Sequence, residues 1–478
     1  MTARPGGGDQ ATGGRQDATR PLVAAPSAPP PGEGDANTSP RRAAWRAGLS
    51  AATRALLDRD AAVFLCQSLS TPCLDVLTGC RGAVLTTRDG RELLDFHGNS
   101  LHQAGHAHPE IVAAIKAQLE AMAFCPRRFT NEPAVRLAEE LVALAPGRLG
   151  KVLFAPGGSL AVGMALKIAR LATGRFKTVS MWDAFHGASL DACSVGGEAL
   201  FRGRIGPLLP GTEHVPPPEP YRCVLRPGGC DGCDLACARY LDYVLEKEGD
   251  VGAVVAEPLR CTTVNIPPPG YWPAVRAACD RHGALLILDE TATCLGRTGR
   301  AFACAHFGAE PDLLVCGKGL GGGILPLAAV LADPALDVGA QLAIGHYTHE
   351  KNPTACAAGL AMLAILRRDD LAGRAARLGA KALARLRAMA QRFPVIGDVR
   401  GLGLSLAVEL VRDRATREKA SDAADAVLYH CLEDGLSFKT SHGNVLTLTP
   451  PLTIAETDLD RAWDILERAL ARVCPPKE

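Results

Sequence analysis

The sequence predicts an α/β fold with a mainly parallel sheet covered by helices on both faces. Short apolar runs of strand length recur at 151–154, 176–181, 251–256, 285–288, 313–315 and 328–331. Stretches with helical spacing lie among them, at 110–122, 134–144 and 160–172. Such alternation builds strand–helix–strand units, and near-continuous apolar strands belong to a sheet buried on both faces.

The remaining elements follow in chain order. Residues 1–45 are rich in Gly, Pro and Ala, include Pro29-Pro30-Pro31, and show no hydrophobic period. They are expected to be disordered. One helix is expected over 43–59. Two apolar runs around Asp89-Gly90, within 83–96, predict a hairpin. A long charged amphipathic helix over 372–391 leads to an α+β tail with strands near 404–409 and 445–448 and a last helix over 455–473. The 478 residues suit two or three domains. The expected division is a large domain over 105–368 and a smaller α+β domain built from both chain ends, 46–104 and 369–478. No internal repeat is present.

Bulk properties narrow the function. A net charge of +1 gives no nucleic-acid footprint. No apolar run is long enough to span a membrane. The first residues lack an apolar segment of the secretory kind and carry Asp9, Asp17, Glu33 and Asp35, unlike a mitochondrial presequence. Seventeen cysteines without an export signal read as reduced thiols, which places the expected location in the cytoplasm.

Chemistry concentrates in a few segments. Lys318 follows an apolar run and stands among Gly317, Gly319 and Gly321-Gly322-Gly323. A lysine so placed suits Schiff-base formation with a cofactor aldehyde, although a solvated lysine is the plain alternative. Asp289 ends the run 284–288, where a carboxylate can bond a pyridinium nitrogen. Its neighbour Glu290 should face the other way, so only one of the two can reach a cofactor. Gly157-Gly158-Ser159 lies between a strand and a helix. It reads equally as a phosphate cup or as a capped turn. Phe185 and His186 follow the 176–181 strand. An aromatic there can stack on a flat ring, yet Phe185 alone reads more readily as core. Cys223, Cys230, Cys233 and Cys237 cluster in a Gly/Pro-rich segment. They are weak candidates for a metal, lacking a paired C-x2-C spacing, and no metal is expected.

Together these motifs resemble the class III (omega-amino acid) aminotransferase family of fold type I pyridoxal 5′-phosphate (PLP) enzymes. The resemblance runs over about 60–475. It rests on Gly105-His106-Ala107-His108-Pro109, 154–161, Phe185-His186-Gly187, Ala256-Glu257-Pro258, Leu288-Asp289-Glu290, Gly296-Arg297-Thr298-Gly299, Gly317-Lys318-Gly319, Thr348 ahead of Asn352-Pro353, and Asp398-Val399-Arg400-Gly401. It implies a fold type I transferase with PLP as cofactor. Lys318 is then the Schiff-base lysine and Asp289 the partner of the pyridine nitrogen. Gly158 and Ser159 fall on the phosphate cup, and Phe185 with His186 on the ring site. Thr348 falls on a position that bonds the phosphate across a dimer interface, which implies a homodimer with its active site at that interface.

Departures from the family pattern point away from a standard transaminase. Ala292 replaces a customary glutamine, Leu160 follows Gly157-Gly158-Ser159, and Thr447 stands where an arginine is common. Segments 97–102, 125–131 and 345–351 resemble a branch of the family that eliminates a group from small phosphorus-bearing amines. The expected activity is a lyase releasing ammonia from a phosphonate-bearing amine. A transaminase for a terminal amine and a phospho-lyase are the alternatives, and a catalytically inactive regulator is disfavoured by the intact Lys318 and Asp289. Arg127 and Arg128, with Lys439 behind them, are the candidates for holding a phosphonate. His102 and His349 are candidates for assisting a leaving group.

Overall fold

The computed structural model describes residues 39–476 apart from 69, 228 and 231. The expected disorder over 1–38 therefore lies outside the described residues. From Ser39 onward the expectation fails. The Ser39 hydroxyl accepts the Arg42 N–H and caps the helix Pro40–Gly48. The single helix expected over 43–59 is two, because Ser50 caps a second one, Ala51–Val63. Asp89 of the predicted hairpin fixes that cap, accepting from the Ser50 and Thr53 hydroxyls at 2.7 and 2.6 Å.

A seven-stranded sheet forms the centre. Its spatial order is Lys151–Ala155, Ala328–Ala332, Leu313–Cys316, Leu285–Asp289, Val251–Ala256, Lys177–Met181 and Thr212–Val215. Ala328–Ala332 runs antiparallel to both neighbours, and the other adjacent pairs are parallel. Every residue of Val251–Ala256 and Leu313–Cys316 is buried, as a sheet covered on both faces requires. The helix Gly158–Thr173 lies across five of these strands. Its buried positions run almost unbroken from Ala161 to Ala169.

Two smaller sheets are built from the chain ends. The hairpin strands Val84–Thr87 and Glu92–Asp95 extend to Leu436–Ser437, which pairs in parallel with Glu92–Asp95 through Leu436 and Leu94. A second sheet joins Ile396–Leu402, Ser405–Asp413, Val445–Leu448 and Lys439–Ser441. The helix Leu371–Arg392 covers it with one stripe, burying Leu371, Ala375, Leu378, Ala382, Leu386 and Met389 at spacings of three and four. A buried leucine there contributes about 1.5–3 kcal/mol relative to exposure.

Candidate active site

The parallel strands deliver their C-terminal ends to one edge of the sheet, where open α/β sheets bind ligands. A cavity of about 470 Å³ opens there. Gly158, Ser159, Phe185, His186, Asp289 and Lys318 all line it, so six residues scattered over 160 positions of sequence meet in one place.

Lys318 directly follows the strand Leu313–Cys316 and Gly317. Its φ of 47° is left-handed, a conformation a side-chain-bearing residue adopts only when its surroundings impose it. The glycines around it are there because the loop is pressed on both sides. A β-carbon on Gly319 would sit 2.0 Å from the Gln103 amide oxygen, and one on Gly323 would sit 2.9 Å from the Leu101 carbonyl.

Asp289 closes the strand Leu285–Asp289 and is 5 % exposed. One oxygen contacts His186 Nδ1 at 2.9 Å; the other accepts the Thr291 N–H at 3.0 Å and its hydroxyl at 2.5 Å. Burial pushes the Asp289 carboxyl up, but the His186 imidazole and the Thr291 donors outweigh it and hold it below its usual range. Burial likewise pulls the His186 imidazole down, and the Asp289 carboxylate more than reverses this. Each group thus favours the charged form of the other, and His186 Nε2 is buried and unpartnered. Glu290 points the other way, accepting the Ala303 and Cys304 N–H groups at 2.6 and 2.7 Å. Alternation along a strand predicted that split.

The anion cradle is the start of Gly158–Thr173, whose first N–H groups have no partner within the helix. Ser159 Oγ lies 2.6 Å from Ser189 Oγ and accepts the Ser189 N–H at 3.0 Å; Ser189 in turn donates to Asp191 at 2.6 Å. Gly187 has a φ of 131°, and a β-carbon there would lie 2.4 Å from Ser159 Oγ. Phe185 is half-buried on the cavity wall, against Phe201 at 4.2 Å between ring centres, rather than in the core. A cavity with a helix start, an acidic strand tip and a lysine fits a flat, phosphate-bearing aldehyde.

Other candidates lie elsewhere. His102 is 1 % exposed, its Nε2 contacts the Asp95 carbonyl at 3.1 Å, and it does not line the cavity. Arg127 and Arg128 do not line the cavity; Arg127 meets His346 Nε2 at 2.8 Å. Thr348 and His349 are exposed on the neighbouring loop. Lys439 is half-buried in Lys439–Ser441. It acts with Lys318 on His97, whose imidazole is held down at about 3 by burial first and by the two lysines, against the pull of Asp95. Cys230 lies against Cys223 and Cys233, all four cysteines of that cluster are unbridged thiols, and none lines the cavity. Among the described residues, the groups with three metal-ligating atoms within 4.8 Å are Asp95, His102 and His106, and Asp183, Glu198 and His442.

Sequence reasoning left Glu257, Thr291 and His97 without roles. Glu257 directly follows the buried strand Val251–Ala256 and lines the cavity; burial pushes its carboxyl up against the pull of His186 and the Cys261 N–H. Its position after an apolar strand was the available signal, the same one that marked Asp289.

A sequence model of the class III aminotransferases matches residues 67–470. The chain belongs to the class III aminotransferase family. It is 47 % identical over 456 residues to an (R)-1-hydroxy-2-aminoethylphosphonate ammonia-lyase of Vibrio splendidus, covering 92 % of this chain and 95 % of that one. It is 36 % identical over 429 residues to a leucine/methionine racemase of Thermococcus litoralis, covering 87 % and 95 %. Among solved structures, a PLP-bound amine transaminase from an uncultivated Pseudomonas species superposes with a TM-score of 0.80 at 33 % identity, covering 86 % of this chain and 98 % of that one. The chain is thus a fold type I enzyme that uses pyridoxal phosphate.

Proposed function

We propose that this enzyme is an ammonia-lyase converting (R)-1-hydroxy-2-aminoethylphosphonate to phosphonoacetaldehyde and ammonia, as a cytoplasmic homodimer. The similarity to the Vibrio ammonia-lyase over nearly the whole of both chains carries this reading.

The cavity supports it. A transaminase of amino acids holds two carboxylates in turn, and arginine is the usual anchor. Among the described residues no arginine lines the cavity. Thr447, in the position the family often gives to arginine, is 5 % exposed and spends its hydroxyl on the Thr262 carbonyl at 2.5 Å. Ala292 offers the cavity wall only a methyl group.

Each residue then has a task. The N–H groups of Gly158 and Ser159 bind the cofactor phosphate, assisted by Thr348 of the partner subunit. Phe185 stacks on the ring. His186 fixes Asp289, and the ionised Asp289 holds a proton on the ring nitrogen. Bound PLP supplies an electron sink for the carbon that carries the substrate amine. Lys318 Nζ removes a proton from that carbon. The C–O bond on the adjacent carbon would break and hydroxide would leave with a proton as water, giving an enamine; protonation of the carbon next to phosphorus turns this into an imine, which water hydrolyses to the aldehyde and ammonia. The water lost equals the water consumed, so no acceptor is needed. Lys439, whose charge reaches His97 as that of Lys318 does, is the remaining candidate for holding the phosphonate.

Substrate analogues test the proposal. 2-Aminoethylphosphonate lacks the leaving hydroxyl, so it should release no ammonia with or without pyruvate. Pyruvate-dependent turnover of that compound would favour a transaminase instead.

A further inference from the structure

The cavity wall carries two carboxyl groups beside one imidazole, Asp289 and Glu257 with His186. The order of the sheet brings the three together. Val251–Ala256 lies between Leu285–Asp289 and Lys177–Met181. Ala256 pairs with Leu288 in parallel, so Glu257 and Asp289 leave the sheet side by side. His186 stands on the loop after Lys177–Met181. To meet Asp289 at 2.9 Å it reaches across the strand end that carries Glu257. Glu257 therefore lies beside the bond between His186 and Asp289, and its charge acts on the imidazole.

The surroundings leave these two partners to each other. The Cys261 N–H donates to one Glu257 oxygen at 2.8 Å, and among the described residues no lysine or arginine pairs with this carboxyl. Burial pushes the carboxyl up, and the strongest opposing pull is that of the His186 imidazole. His186 is 3 % exposed and its Nε2 has no hydrogen-bond partner. A buried polar atom left in that way calls for an explanation. The negative groups that act on His186 are Asp289 and Glu257. His214, on the edge strand Thr212–Val215, and Lys318, on the cavity wall, offer it no negative charge. One carboxylate balances one imidazolium. A protonated ring nitrogen held by Asp289 would bring a second positive charge, and an unbalanced charge in a buried site is strongly unfavourable.

We propose that Glu257 is a positioning residue of the cofactor site: its carboxylate is the second counter-charge of His186, which frees the charge of Asp289 for the protonated ring nitrogen of the cofactor. Asp289, His186 and Glu257 then set two negative charges against two positive ones. The proton on His186 Nε2 is the one this arrangement retains. The inference does not depend on the choice between elimination and transamination, because both draw electrons into the same ring.

Cofactor binding tests it, with two probes: PLP, and the PLP analogue that carries C–H in place of the ring nitrogen. The full chain is freed of cofactor and titrated with each. E257Q should bind PLP about tenfold more weakly than wild type, the scale of one pKa unit of charge interaction, and should bind the uncharged-ring analogue within about twofold of wild type. E257D should recover most of the PLP affinity. An equal loss for both probes would make Glu257 merely structural and overturn the proposal. So would wild-type PLP affinity in E257Q. A second measurement needs no change at Glu257. Nitrogen NMR of isotope-labelled wild-type holoenzyme near neutral pH should show a proton on both ring nitrogens of His186, whose signals are those lost in H186N. A single protonated nitrogen would overturn the proposal. Neither measurement depends on which substrate the enzyme turns over, so failure here leaves the reaction reading to its own test.

Discussion

At the scale of single residues, Lys318 and Asp289 were legible because each ends an apolar strand, and a polar group at a strand tip has an address. What held them was not legible. His186 stands 103 positions from Asp289, and nothing local in the sequence pairs them. His102 is held through Nε2 by the Asp95 carbonyl and does not line the cavity. K318A should lower ammonia release by at least about 10³-fold while leaving the melting temperature of the cofactor-free protein near wild type, checked by a coupled ammonia assay and calorimetry. Asp95 gives a pH prediction. Burial pushes its carboxyl up, but His106, His102 and two backbone N–H groups hold it at about 2. A carboxyl depressed in the folded state stabilises it above its unfolded pKa, and that stabilisation disappears as the pH falls through the folded value. D95N should therefore cost about 2 kcal/mol at pH 7, and the deficit should shrink from pH 4 toward pH 2, as read from urea midpoints.

At the scale of elements, six of the seven central strands could be read from apolar runs. The seventh, Thr212–Val215, could not, because Thr-Glu-His-Val at a sheet edge carries no apolar signal. The helix Pro353–Arg368 escaped for the opposite reason. Ten of its sixteen residues are buried, so it shows no polar face to give it a period. The helix Leu371–Arg392 was legible because its stripe is narrow and its other face charged. L386A removes a fully buried member of that stripe and should cost about 2–5 kcal/mol in unfolding free energy, with little effect on the cavity. The cradle gives a contrasting prediction. G187A forces a β-carbon onto Ser159 Oγ at a φ that favours glycine, so it should weaken PLP binding by at least about tenfold, measured by titrating the cofactor-free protein.

For the molecule as a whole, Gly158, Ser159, Phe185, His186, Asp289 and Lys318 meet at one cavity, while Arg127, Arg128 and Lys439, expected at the substrate, do not line it. That division explains why the cofactor residues could be recognised in the sequence and the substrate residues could not. A cofactor contact is fixed by strand ends within one chain. A contact offered on a surface acquires its meaning from whatever closes over it, and sequence spacing carries no record of that. Among the described residues no helix is long and apolar enough to cross a membrane. The account's central claim is elimination without an acceptor. Purified enzyme with (R)-1-hydroxy-2-aminoethylphosphonate and no keto acid should release ammonia and phosphonoacetaldehyde one to one over hundreds of turnovers, with PLP unchanged at the end. Turnover that stops after one equivalent per active site, leaving the cofactor aminated until pyruvate is added, would contradict it.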